Sequence, residues 1–219
     1  MTARDLALGC SVACGVAVVL LLWVERRGLQ AWRAPLKLSA SSGFVAVALL
    51  LGATGSDYGR WILAALALGW LGDALLLSER SAWFLSGLVA FLLSHLCFGA
   101  AFVSGGVAPW AVAVSAVPAL AAGIVIWRWL RPYPSGVLRV AVPVYGVVIL
   151  AMCALAVGYA EAHQRWIALD GAVLFAVSDL AVARDRFVAR SFDNKLWGWP
   201  TYFAAQLLLA WTVVYPNRG

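Results

Sequence analysis

Charge is scarce in this chain. Asp, Glu, Lys and Arg make up 12% of its 219 residues, whereas 64% are apolar. That is about half the charged share of an ordinary soluble domain. A chain of this length cannot cover so much apolar surface with so little polarity, which excludes a water-soluble globular protein. Histidine is scarcer still, with only His95 and His163. Catalytic zinc takes about three protein ligands, usually including histidine, so a histidine-rich zinc hydrolase is excluded and neither a metal nor a cofactor is expected. Magnesium on paired carboxylates stays open. The four cysteines (Cys10, Cys14, Cys97 and Cys153) form no CxxC pair and read as small buried hydrophobes. There is no GxSxG, and Ser94 and His95 are neighbours that point apart on one helix, so a serine nucleophile is not expected. No polar stretch is long enough to separate two domains. No small-residue cleavage site follows the first apolar run, which ends in Trp23-Val24-Glu25-Arg26 and reads as an uncleaved span.

What is present is a series of eight apolar segments of spanning length: 6–24, 36–53, 61–77, 82–103, 108–130, 137–159, 166–183 and 200–215. In lipid each must be helical, because no water is there to satisfy open backbone groups. The expectation is an all-α integral membrane protein, one bundle of eight transmembrane helices forming a single domain over 1–219. Polar or turn-forming residues make the breaks, including Ser78-Glu79-Arg80, Arg131–Gly136 and the long Arg184–Gly198, and tryptophans gather at the segment ends as an interfacial belt. Spans one to four and five to eight can also be aligned as two parallel repeats, Gly72-Asp73 against Ser178-Asp179. Chance similarity among Leu/Ala-rich helices explains that match equally well.

The basic residues orient the bundle. With eight spans, the first, third, fifth and seventh loops carry twelve of the sixteen Lys and Arg, and the other side has only Arg4, Arg60, Arg165 and Arg218. Cytoplasmic loops hold the excess of positive charge, so both termini are expected outside the cytoplasm. The formal charge of +6 fits the anionic inner leaflet rather than nucleic acid.

Two carboxylates stand inside these spans, in Gly69-Trp70-Leu71-Gly72-Asp73 and in Phe175-Ala176-Val177-Ser178-Asp179. An ionisable group at membrane depth is costly unless paired, hydrated or neutralised. Asp73 lies four residues before Leu77 and Asp179 four before Ala183, which puts each about 6 Å inside the expected cytoplasmic end of its span. Lys37, Tyr145, Tyr202 and Gln206 enter the same layer, and His95 lies deeper. One cavity open to the cytoplasmic leaflet could collect them. Singly, each has a plainer reading: Lys37 snorkels, His95 is a satisfied core histidine, and Tyr145, Tyr202 and Gln206 are packing or interhelical glue. Together they form a carboxyl pair in an apolar pocket, which keeps a proton available near neutrality. That chemistry suits acid-catalysed cleavage of an acetal-like or enol-ether bond in a lipid, by the logic of glycoside hydrolysis. A membrane transporter or proton relay built on the two aspartates is the alternative, although the polar residues cluster in one half of the bundle.

The motifs G-D-A-L-L-L from Gly72, F-L-L-S-H-L from Phe91, Y-G-V-V-I-L-A-M from Tyr145, G-A-V-L-F-A-V-S-D from Gly171 and Y-F-A-A-Q-L-L-L from Tyr202 occur in this order. In that order the chain, from about Leu36 to Tyr215, resembles the YhhN-like lysoplasmalogenase family. The resemblance implies hydrolysis of the vinyl ether of a lysoplasmalogen substrate, giving a fatty aldehyde and glycerophosphoethanolamine or glycerophosphocholine. It implies Asp73 and Asp179 as catalytic acids, with His95, Tyr145, Tyr202 and Gln206 lining the site. The mechanism expected on acid–base grounds has one aspartic acid protonating carbon while the other carboxylate stabilises the cation. The family's Lys-Pro pair is altered here, since Lys37 is followed by Leu38 and preceded at one remove by Pro35. A head-group role for Lys37 is correspondingly less direct.

Overall fold

Thr2 opens the first helix with a capping box: its hydroxyl accepts from the Asp5 amide at 3.1 Å, and the Asp5 carboxylate accepts from the Thr2 amide at 2.7 Å. From there the chain is helical almost throughout. The structure is a computed structural model that describes residues 2–78 and 80–214. Those residues form eight α-helices: α1 (Ala3–Arg27), α2 (Gln30–Leu50), α3 (Asp57–Leu75), α4 (Ser81–Gly105), α5 (Pro109–Leu130), α6 (Leu138–His163), α7 (Ile167–Ala183) and α8 (Phe192–Trp211). Each overlaps one of the eight apolar segments. Glu79 in the third break, Tyr215 at the expected end of the eighth segment and Arg218 lie outside the described residues.

Four of the eight, α1, α4, α5 and α6, are by length and composition alone long and apolar enough to cross a membrane. The others are shorter or more polar, and there is a reason. α7 has only 17 residues, and of the polar residues on α2, α3 and α8, Lys37, Asp73, Tyr202 and Gln206 are buried in the bundle whereas Asp57 and Arg60 are exposed. α8 begins at Phe192, eight residues before the apolar segment does, so nearly half of the polar 184–198 break belongs to α8. The buried Asn194 explains this: its amide nitrogen donates to Asp185 Oδ1 at 2.9 Å and to the Ala189 carbonyl at 2.7 Å. Asp193 in the first turn complements the helix dipole. Between α7 and α8 the chain widens into a π-helical turn, Arg184–Val188.

Sequential neighbours pair as α1 with α2, α3 with α4, α5 with α6 and α7 with α8, and α4, α6 and α7 join these pairs through a common core. Phe44, Leu66, Phe98, Phe102, Phe175 and Phe203 fill that core and are buried. α5 packs chiefly on α6 and leaves Val114, Val117 and Val125 on the outer surface. At the end marked by the start of α3 the bundle is filled by stacked Tyr58 and Tyr159, with ring centroids 5.1 Å apart. There Tyr58 donates to Thr212 Oγ1 at 2.7 Å, and His163 Nε2 donates to the Gly105 carbonyl at 2.9 Å. Asp73 lies fifteen residues further along α3, about 22 Å away at the helical rise.

Candidate active site

The two glycines of Gly69-Trp70-Leu71-Gly72-Asp73 let neighbouring helices close in around Asp73. A Cβ on Gly69 would meet Gln206 Nε2 at 2.5 Å, and one on Gly72 would meet the Phe91 ring at 2.6 Å. With no side chain in the way, Asp73 is surrounded. Lys37 Nζ from α2 sits 3.0 Å from Asp73 Oδ1. The hydroxyls of Ser41, one turn on from Lys37, and of Tyr202 from α8 donate to Asp73 Oδ2 at 2.6 and 2.7 Å. Behind Tyr202, Gln206 Nε2 donates to the phenol oxygen at 3.0 Å, and Gln206 Oε1 is buried without a hydrogen-bond partner among the described residues.

The second acid has its own company. Tyr145 from α6 donates to Asp179 Oδ2 at 2.7 Å, and His95 Nε2 from α4 lies 3.5 Å from the same oxygen. His95 is held by its other nitrogen. Nδ1 is 2.6 Å from the Phe91 carbonyl, and a carbonyl only accepts, so Nδ1 carries the proton. The imidazole packs on Phe175 with centroids 4.4 Å apart, and Phe175 in turn meets Tyr202 at 5.4 Å. The two polar clusters are thus joined through an aromatic wall that also includes Phe91, edge-on to Tyr202 at 5.8 Å.

Both acids open on one cavity of about 1020 Å³. Its walls are largely apolar and run along α5 and α6, past Ala119, Gly123, Leu150 and Ala154. Its rim carries Arg33, Arg131, Arg139, Arg186, Arg190 and Lys195. Arg186 lies over the Phe84 ring at 4.4 Å. Lys37, Tyr145 and Tyr202 also line the cavity, whereas His95 and Gln206 sit one layer behind, fully buried.

Every residue singled out from the sequence therefore falls in one of two clusters, Lys37, Tyr202 and Gln206 with Asp73, and His95 and Tyr145 with Asp179. Ser41 is the residue that sequence reasoning missed. A serine in an apolar helix is cheap and common, and only its spacing of one turn from Lys37 marks it. Among the described residues no three or more His, Cys, Asp or Glu come together as a metal-ligand set.

The sequence profile of the YhhN family matches residues 32–213. The chain belongs to the YhhN family. Its relatives include proteins named lysoplasmalogenase from Mycobacterium bovis and Mycobacterium tuberculosis, each 36% identical over 156 residues, which are 68% of this chain and 59% of theirs. The protein named lysoplasmalogenase TMEM86A from Homo sapiens is 31% identical over 161 residues, 70% of this chain and 65% of that one. The chain thus spans under two thirds of the length of these relatives. No solved structure matches it.

Proposed function

We propose that this protein is a lysoplasmalogenase, hydrolysing the vinyl ether of a 1-alkenyl lysophospholipid to a fatty aldehyde and glycerophosphoethanolamine or glycerophosphocholine. The observation that carries the reading is a pair of carboxyls on one lipid-sized cavity, Asp73 buried and Asp179 half-buried, in a chain whose bacterial and mammalian relatives bear that name. A basic rim suits the phosphate of the head group, and the apolar α5–α6 wall suits the alkenyl chain. One of the two carboxyls protonates the β-carbon of the enol ether, and a carboxylate then faces the oxocarbenium ion. Water adds to the vinyl carbon, and the hemiacetal collapses to aldehyde and glycerol hydroxyl. His95, Tyr145, Tyr202 and Gln206 shape and orient the site. Transport would need a path to the opposite end, where Tyr58, Tyr159, Phe98 and Phe102 are packed and buried.

Hydrolysis in heavy water tests this directly. One deuterium is expected on the carbon next to the new aldehyde, trapped by prompt reduction to the alcohol, and labelled water should leave the glycerol oxygen unlabelled. An aldehyde without deuterium there, or a glycerol oxygen drawn from solvent, rules the mechanism out.

We further propose that all eight helices span the membrane as one domain, with both termini outside and the basic rim in the cytoplasm. The support is the charge bias of the loops. Ser135→Cys, in the exposed loop after α5, should resist impermeant thiol reagents in intact cells, whereas Ala162→Cys, at the end of α6, should react above the parent's background. The opposite labelling pattern would invert the bundle.

A further inference from the structure

The two carboxyls are not equivalent. Asp73 has neither oxygen free: Lys37 holds Oδ1 at 3.0 Å, Ser41 and Tyr202 hold Oδ2, and the side chain is 3% exposed. Three donors, one of them a cation, take three of a carboxylate's about four acceptor sites and engage both oxygens, so a proton on Asp73 would have to compete with them. Lys37 also cancels most of the field that Asp73 could direct at a cation in the cavity. Asp179 differs on each point. Both of its contacts fall on Oδ2, Oδ1 has no hydrogen bond among the described residues, and the side chain is 18% exposed to the cavity. No Lys or Arg pairs with it among the described residues. Behind it, His95 Nε2 carries a lone pair, because the Phe91 carbonyl fixes the proton on Nδ1. That Nε2 is buried, makes no hydrogen bond among the described residues, and faces Asp179.

We infer that Asp179 alone carries the proton chemistry, with His95 as its proton store, and that Asp73 is a positioning residue that compensates the buried Lys37 ammonium and holds Tyr202. This rests on the hydrolase reading above. The Asp179 carboxyl gives its proton to the β-carbon, the π pair of the enol ether forms the new C–H bond, and carboxylate and oxocarbenium ion are left side by side. Water bonds to the vinyl carbon through oxygen. The proton it sheds returns to Asp179, with the His95 Nε2 lone pair able to share it. Collapse of the hemiacetal breaks its O–H bond and the bond to the glycerol oxygen, which takes up a proton, and Asp179 ends protonated as it began. One carboxyl closes the cycle.

The test uses purified full-length protein in detergent with an alkenyl lysophosphatidylethanolamine. Asp179→Ala should lose at least ~10² in turnover, the low end for a general acid, and formic acid added at fixed pH should restore part of it in proportion to the un-ionised acid. In heavy water the rescued product should carry deuterium next to the aldehyde. Asp73→Asn should also lose turnover, but the double variant Lys37→Met/Asp73→Asn, which removes both members of the buried pair, should recover about tenfold over Asp73→Asn, because contacting residues couple. His95→Asn should slow single-turnover aldehyde release and steady-state turnover alike with little change in KM, because the proton shed by water must find Asp179 within each turnover, and a misfolded or misshapen site would raise KM as well. Rescue by acid of Asp73→Ala instead of Asp179→Ala would overturn the inference, as would a double variant no better than Asp73→Asn. A wild-type protein without turnover would instead overturn the hydrolase reading on which the inference rests.

Discussion

Asp179→Asn should lower turnover of an alkenyl lysolipid by at least ~10²-fold and by up to about 10⁴-fold, the range for loss of a general acid–base group. In barrier terms that is roughly 3–5 kcal/mol. The substitution is conservative in shape. Asn can still accept the Tyr145 hydroxyl, which sits 2.7 Å from Oδ2, and it leaves the Phe175 and Phe91 wall in place. What it cannot do is give up a proton to carbon. Substrate binding depends on the cavity walls and the rim, so kcat should fall with little change in KM, the pattern of an interaction made only in the transition state. Initial rates of aldehyde release, measured on protein that elutes as a single species by size exclusion, decide the matter. Near-normal turnover in a well-folded variant would remove Asp179 from the mechanism.

The two aspartates are legible in the sequence because charge inside an apolar segment is expensive, and expense narrows the readings. Helix count was legible for the same reason, since apolar runs of spanning length have few alternatives. The partners were harder to place. Tyr202 reaches Asp73 from 129 residues away and Lys37 from 36 residues away, and no local period links such positions. The sequence therefore groups six polar residues into one layer, whereas the bundle divides them between two carboxyls on either side of Phe175. Likewise the Asp193-Asn194-Lys195 stretch has the composition of a loop. It becomes the first turn of α8 because Asn194 is bonded back to Asp185 and Ala189 across the π-helical turn. Expensive residues announce themselves, while cheap ones such as Ser41 gain meaning only from what folds against them.

Lys37→Met should be the most destabilising single change at the site. The Lys37 and Asp73 side chains are 8% and 3% exposed, so neither charge of the pair is repaid by water. Methionine keeps much of the lysine stem's volume and its apolar contacts, so the packing cost is small. The cost comes from Asp73, which keeps only the Ser41 and Tyr202 hydroxyls as donors. Removing one partner of a buried pair typically costs about 3–5 kcal/mol, because a charge is left uncompensated. Replacing both partners is often close to neutral by the same argument, so Lys37→Met/Asp73→Asn should unfold later than Lys37→Met alone. Thermal unfolding in a fixed detergent, followed by circular dichroism, measures both. The expected order of midpoints is wild type, double variant, Lys37→Met. If Lys37→Met unfolds with the wild type, then water or lipid reaches Asp73 freely, and the buried ion pair is not what fixes α2 against α3.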